Sequence, residues 1–341
     1  MKILSIGELL IRLTVPDNQR FSQAQQFRMD IGGSEANVAI ALSQLGWSSR
    51  MLSALPDNEL GDRICSELSQ FNVGIEHIHR IGERVGLYYL EEGSSIRGSK
   101  IVYDRANASV NNLTPDIINW DEVLDGITHL HWSGITPALS ENAAAVCQEA
   151  VSRAWESNIS VSCDLHFRKN LWSYGKKPTE VIPQLIEKSS VVLGDPSTIQ
   201  ALTGIDLPSR NLQSIESVNQ LESDYRKLMD RFPSIQSVSM LLRTIHSASH
   251  HQLKAVMVTG DNTYESSVLN VDNIKDRIGG GDAYMAGLLF GLNNYKDKKE
   301  GLEFALALSA LKHTIRGDYF RGKLSDVEQI MNSSQLGKIM R

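Results

Sequence analysis

The sequence predicts an α/β protein, a mostly parallel sheet flanked by helices. Two observations carry this. From residue 128 onward, short apolar runs alternate with helical patterns: 129–132 then 141–158, 160–164 then 178–188, 191–193 then a short helix near 197–202. Such alternation marks strands laid parallel and joined by covering helices. At the other end of the chain, Lys2–Ile6 is a short apolar run closed by Gly7, as a first buried strand would be.

The elements follow in order. Gly32-Gly33 opens a helix with Ser34 as its cap, Val38, Leu42 and Leu45 on one face, and Gly46 at its end. Residues 51–55 read as a strand and 59–70 as a helix. Residues 84–91 and 100–105 alternate with period two around turns at Gly93-Ser94-Ser95 and Gly98-Ser99. That pattern is an antiparallel pair, either on a small sheet apart or as a hairpin on the main one. Residues 211–231 form a polar helical stretch, and 238–243, 254–258 and 264–268 read as strands. An alanine-rich amphipathic helix over 302–315 ends near Arg316-Gly317-Asp318. Active sites of such sheets lie at the carboxyl ends of strands, where Gly134-Ile135-Thr136-Pro137 and Asp164-Leu165-His166-Phe167-Arg168 stand.

Composition narrows the function. The chain has 341 residues, room for one large α/β domain or two smaller ones, and 41% are hydrophobic, enough for a sizeable core. Lys plus Arg number 34 against 40 Asp plus Glu, a net charge of −6, so no broad basic surface for nucleic acid is expected. An anionic ligand would have to be held by local features. Cys65, Cys147 and Cys163 are far apart and odd in number, which excludes a disulfide framework and a zinc site and points to a reducing cytoplasm. Neither a signal peptide nor a membrane span is expected.

The chain is organised around Asp276-Arg277-Ile278-Gly279-Gly280-Gly281-Asp282, which leads into an apolar helical run. Glycines allow a sharp turn and close approach to a ligand. A helix starting there aims unpaired N–H groups at an anion, phosphate above all, and Asp282 falls in the first turn beside it. Gly-x-x-x-x-Gly-Lys-Ser/Thr and a Gly-x-Gly-x-x-Gly after the first strand are both missing, which disfavours a P-loop nucleotidase and a simple dinucleotide fold. None of the nine histidines stands at convincing metal spacing, and no metal ligand is assigned.

Together the two glycine motifs are specific. Gly32-Gly33-Ser34-Glu35-Ala36-Asn37-Val38-Ala39 resembles the first signature of the ribokinase-like (PfkB) carbohydrate kinases, and Asp276–Asp282 followed by Ala283 resembles the second, usually Asp-Thr-x-Gly-Ala-Gly-Asp. Gly7-Glu8, Tyr103-Asp104-Arg105, 133–140, 164–172 and the Arg316-Gly317-Asp318 ending extend the likeness over nearly the whole chain, within the family most of all to the 2-keto-3-deoxygluconate kinases. The resemblance implies a ribokinase-like fold with a small β-sheet lid: residues 1–9, 29–83 and 110–341 as the core, 10–28 and 84–109 as the lid. It implies Asp282 as the base that takes the proton from the attacking hydroxyl, and Gly279, Gly280 and Gly281 as the donors around the transferring phosphate. It implies Gly33, Asn37, Tyr89, Tyr103, Arg105, Arg168 and Asp318 as sugar contacts, ATP with Mg2+ as the donor complex, and a homodimer or higher homo-oligomer through the lid.

Two stretches depart from the family. The Asn-x-x-Glu tied to magnesium and phosphate reads Asp195-Pro196-Ser197-Thr198, so few side chains should touch the metal. Arg243-Thr244-Ile245-His246-Ser247-Ala248-Ser249 stands where a glycine-rich nucleotide loop is usual. The two arginines, Arg105 and Arg168, favour a substrate with a carboxylate at one end, because a guanidinium fork suits that group. The expected reaction is phosphorylation of the primary hydroxyl of 2-keto-3-deoxygluconate. A ribokinase, fructokinase or nucleoside kinase on the same fold is the alternative, and a non-catalytic sugar-binding regulator is disfavoured by the retained Asp282.

Overall fold

The computed structural model describes residues 1–211 and 218–332. The chain begins with β1 (Lys2–Ile6), leaves the main sheet for β2 (Leu10–Thr14) and β3 (Arg28–Gly32), and returns through α1 (Ser34–Gln44), β4 (Ser48–Leu55), α2 (Glu59–Gln70), β5 (Val73–Gly74) and β6 (Ile78–Arg80). It leaves again for β7 (Gly86–Glu91) and β8 (Lys100–Asp104), then runs through α3 (Trp120–Val123), β9 (His129–Ser133), α4 (Thr136–Leu139), α5 (Glu141–Glu156), β10 (Ser160–Asp164), α6 (Pro178–Ile186), β11 (Val191–Leu193), α7 (Pro196–Thr203) and α8 (Val218–Arg231). An antiparallel meander of β12 (Ser237–Ser247), β13 (His250–Thr259) and β14 (Thr263–Asp272) precedes α9 (Gly280–Asn294), α10 (Lys298–Lys312) and α11 (Leu324–Asn332).

Among the described residues the strands form two sheets. The main one has the order β14-β13-β12-β11-β10-β9-β1-β4-β5, with β6 beside β4. Pairing is parallel from β12 across to β5. The parallel strands β1, β9, β10 and β11 are buried on both faces, as parallel sheets require. Leu4 and Ile6 of β1 join the core under α5, α6, α7 and α8, whereas Ile3 joins the core under α1, α9 and α10. Val256 and Val258 of β13 divide in the same way from Leu253, Ala255 and Met257. His129 and His131 are buried in β9, where desolvation lowers them to about 4 and about 3, so both are neutral core residues.

The small sheet has the order β3-β2-β7-β8. The antiparallel pair expected near 84–105 therefore lies apart from the main sheet, zipped to it by neither strand. Two local expectations change. Ser34 does not cap α1: Gly33 is the cap residue at φ 148°, and Ser34 enters the first turn with its hydroxyl committed elsewhere. The stretch 243–249 is not an open loop. β12 continues to Ser247, paired with β13, because Arg243, Thr244 and Ile245 find partners in Leu253, Gln252 and His251. Of the expected helix over 211–231, residues 212–217 lie outside the described residues, Asn211 ends a 3-10 turn, and α8 covers 218–231. No described helix is long and apolar enough to cross a membrane.

α9, which begins at the glycine-rich stretch, is fixed by close packing on α10. A Cβ on Gly291 would overlap the Gly301 carbonyl and lie 2.7 Å from Gly301 Cα; one on Gly287 would lie 2.7 Å from Ala305 Cα. Alanine would gain about 1 kcal/mol in helix propensity at Gly291, but overpacking against backbone costs about 1–3 kcal/mol. Gly291→Ala should therefore destabilise the protein, read as a lower urea midpoint with an unchanged m-value; a raised midpoint would contradict this packing.

Candidate active site

A cavity of about 950 Å³ opens at the carboxyl ends of the parallel strands, beneath the small sheet. The order of the sheet sets the order of its wall. Glu8 follows β1, Asp164 to Arg168 follow β10, Gly194 and Asp195 follow β11, and residues 240–245 of β12 run on past the edge. Leu10, Tyr88, Tyr103 and Arg105 come down from the small sheet, and Gly279, Gly281 and Asp282 enter from the start of α9.

Asp282 is buried at the centre, and α1 holds it. The Ser34 hydroxyl donates to Oδ1 at 2.8 Å and the Asn37 amide donates to Oδ2 at 2.7 Å. The first glycine motif thus orients the acid of the second. Burial raises the Asp282 pKa to about 6; the charge of His166 and the Asn37 and Ser34 bonds work against that rise. The start of a helix favours an ionised acid, but burial outweighs that effect here. Gly279 takes φ 77°, open to glycine at little strain, and a Cβ there would overlap the Asp318 carbonyl. Gly281 faces the cavity, where a Cβ would come no nearer than 3.9 Å, to His166 Nε2. Gly280 does not reach the cavity: it is buried against His313 and its N–H turns back to the Arg277 carbonyl at 3.5 Å.

Beside Asp282 stands a residue that sequence reasoning passed over. His166 Nε2 lies 2.8 Å from Asp164 Oδ2. Burial opposes its charge, but Asp164 and Asp282 more than offset that, and the imidazole pKa is raised. The spacing Asp164-x-His166 at a strand end was the available signal; its third partner is distant in sequence. The ligand atoms of Asp164, His166 and Asp282 lie within 4.8 Å of one another. The imidazole nitrogen there is already taken by Asp164, which makes this trio an ion pair next to a carboxylate rather than a free ligand set.

The small-sheet side is organised by a residue the sequence did not single out. Arg12 of β2 is fully buried. Its guanidinium lies 2.8 Å from Asp318 Oδ1 and 2.7 Å from Asp276 Oδ2, the latter contact off-axis for a hydrogen bond, and Nε donates to Thr14. Tyr88 donates to the other Asp318 oxygen at 2.5 Å. Asp318 therefore lines the cavity with both oxygens already engaged, not as an open acceptor. Gly33 lines the cavity, and a Cβ there would overlap the Glu8 carbonyl.

The remaining expected residues separate. Tyr103 and Arg105 line the cavity, with the Arg105 guanidinium 5.4 Å from the Tyr103 ring centroid and paired with Glu8, while its buried Nε has no partner. Arg168 lines it too, exposed, donating among the described residues only to the Phe167 carbonyl. Asn37 has a second function to offer, since its buried Oδ1 is unpartnered. Tyr89 is not brought to the cavity. Adjacent strand residues face opposite ways, so with Tyr88 inward Tyr89 falls in the row Met29–Leu13–Tyr89–Val102 on the outer face, edge-on to Phe27 at 5.7 Å.

At the departed magnesium motif, Asp195 caps α7. Its Oδ1 accepts from Ser197 and the Thr198 N–H and its Oδ2 from the Thr198 hydroxyl, so neither oxygen is free.

Comparison with known proteins agrees with this geometry. Residues 1–229 match the pfkB family carbohydrate kinases. The chain is 30% identical to a 2-dehydro-3-deoxygalactonokinase of Haloferax volcanii over 338 residues, 98% of each protein. It is 25% identical to a 2-dehydro-3-deoxygluconokinase of Thermoproteus tenax over 93% of this chain and 90% of that one. The crystal structure of a 2-dehydro-3-deoxygluconokinase from Thermotoga maritima superimposes with a TM-score of 0.92 at 31% identity, covering 98% of this chain and 100% of that one. The chain therefore belongs to the pfkB family of carbohydrate kinases and is a phosphotransferase.

Proposed function

We propose that this kinase transfers the γ-phosphoryl of ATP to the primary hydroxyl of a 2-keto-3-deoxy sugar acid, 2-keto-3-deoxygluconate first. The single observation that carries the acid is the state of the arginines at the lid end. Arg168 has no carboxylate partner among the described residues, and Arg105, positioned by Glu8, keeps a buried Nε free. A neutral sugar would leave that guanidinium character unanswered in a closed site; a carboxylate answers it. The relatives from Haloferax volcanii and Thermoproteus tenax carry names for two such acids, galactono- and glucono-, which differ in the configuration of one hydroxyl. That favours the class and makes the galactonate epimer the second reading.

In this reading Asp282 accepts the proton as the hydroxyl attacks, held on target by Ser34 and Asn37. The N–H groups at the start of α9, with the imidazolium of His166, stabilise the charge on the transferring group. Asn37 Oδ1 and the Gly33 backbone are placed for sugar hydroxyls. Asp318 fixes Tyr88 and Arg12 instead of binding substrate directly. With Asp195 committed to its cap, the residues present fit a magnesium ion held by phosphates and water; such an ion would supply charge neutralisation on the phosphates. The strands β2, β3, β7 and β8 are the lid, and the exposed Phe27, Met29 and Val102 on its outer face support pairing of two copies there, with Tyr89 in the contact.

Three outcomes test this. Asp282→Asn should lower kcat by roughly 10²–10⁴ through loss of the base, with ATP affinity retained by calorimetry; near wild-type turnover would remove Asp282 from its role. The free-enzyme profile of kcat/KM should lose activity as pH falls through about 6, because Asp282 must be ionised to act and its pKa is raised to about 6. Asn37→Ala removes a bond to the charged form and should move that acid limb upward; a limb that stays in place would mean another group sets it. Arg168→Ala should cost about 2 kcal/mol or more in transition-state stabilisation, ~30-fold in kcat/KM for the sugar acid, with lysine restoring only part. Equal use of ribose or fructose by the wild-type enzyme would overturn the acid reading.

A further inference from the structure

Arginines elsewhere in the fold have found acids. Arg12 lies against Asp276 and Asp318, Arg105 against Glu8, and Arg80 against Asp62. Besides the exposed Arg168, two more that line the main cavity have not. Arg243 on β12 and Arg277 in the glycine-rich stretch are half-buried, and neither meets a carboxylate within ion-pair distance among the described residues. The Arg243 Nε is shut off from solvent with no partner at all. Burial, with the charge of Arg277 added, pushes Arg243 down to about 10, and burial lowers Arg277 as well. The histidines packed beside them offer no compensation: burial, then the charges of these arginines, holds His251 near 4, and His313 is lowered to about 3. In a chain of net charge −6, two unpaired guanidiniums on one wall are a cost that only an anionic ligand removes.

Their position says which anion. β11 ends at Leu193, opposite Ser239, and β12 runs on past it as a hairpin arm, so Arg243 projects beyond the carboxyl edge on the side away from Arg105 and Arg168. Arg277 stands two residues before Gly279, the turn that opens α9. A phosphate seated at that helix start would have its chain continue toward β12. We propose that Arg243 and Arg277 clamp the polyphosphate of the nucleotide donor, replacing by two side chains the neutralisation that a glycine-rich loop and an Asn-x-x-Glu would otherwise share. This rests on the kinase reading of the cavity. Guanidiniums suit the task because their forks reach two oxygens at once.

The test reads binding, not turnover, so that it does not depend on the sugar. Wild-type, Arg243→Gln and Arg277→Gln proteins are titrated calorimetrically with ATP, with adenosine and with inorganic tripolyphosphate, each at low and moderate salt. Glutamine keeps hydrogen-bonding capacity and removes charge. Expected is a loss of tenfold or more in ATP and tripolyphosphate affinity in each variant, unchanged adenosine affinity, and a shallower salt dependence than wild type. Arg243→Lys should recover part of the loss, which guards against a folding defect in the glutamine variant. ATP affinity within twofold of wild type in both glutamine variants, or an equal loss for adenosine, would overturn the clamp. If wild type binds tripolyphosphate through these arginines but not ATP, the clamp stands and the ATP-dependent reading of the cavity falls.

Discussion

The carboxylate of Asp282 joins two parts of the chain that are 245 residues apart, and the site depends on that joint. Its two oxygens are taken by Ser34 and Asn37, both in the first turns of α1. α9 carries the acid and is locked against α10 by glycines that let the two backbones touch. α1 meanwhile packs on β1 and β4 of the main sheet and against α9, so the helix that builds part of one core also orients Asp282. Neither glycine motif makes a site alone. The first would be a plain helix start and the second an anion pocket with a loosely held acid.

A second buried charge ties the small sheet to this centre. Arg12 reaches from β2 to Asp276, just ahead of the glycine turn, and to Asp318, whose carbonyl fills the space that a side chain on Gly279 would need. Tyr88 of β7 meets Asp318 from the other side. The small-sheet strands and the glycine turn thus share one hydrogen-bonded network in which burial opposes the Arg12 charge and the two carboxylates more than restore it. Breaking such a network by removing one partner leaves an uncompensated buried charge, about 3–5 kcal/mol in comparable cases. Any shift of the small sheet is therefore felt at the turn that faces the phosphate.

Much of this was legible in the sequence, for identifiable reasons. Parallel strands between helices advertise themselves by alternation, so β9, β10, β11 and their helices fell where the pattern put them. The glycine motifs are local, and local chemistry reads well. What stayed hidden was set by contacts between distant segments. Arg12 sits in an ordinary strand and gains meaning only from Asp276 and Asp318. His166 needed the fold to bring Asp282 beside it. Tyr88 and Tyr89 are adjacent and chemically alike, and only the face of β7 tells which one looks inward. Asp195 retains an acid at the departed motif, yet its oxygens are used up by the helix it caps. The length of β12 was missed because its tail is polar, while its pairing with β13 supplies order that no apolar pattern signals.

The charge arrangement along the sheet edge has its own logic. A kinase acting on an acid must bring two anions, acceptor and donor, toward a base that is itself an anion. Each arriving charge would raise the pKa of Asp282, already lifted to about 6 by burial. The wall answers this in three places: guanidiniums of Arg105 and Arg168 at the small-sheet end, those of Arg243 and Arg277 at the β12 end, and the His166 imidazole between them, whose pKa Asp164 raises. In the proposed reading, cations at the two ends would hold the anions where they bind, away from Asp282. The cation in the middle and the helix start of α9 act where charge gathers during transfer. On that reading Asp282 can be buried deeply enough to serve as the proposed base near neutral pH without being neutralised by the substrates.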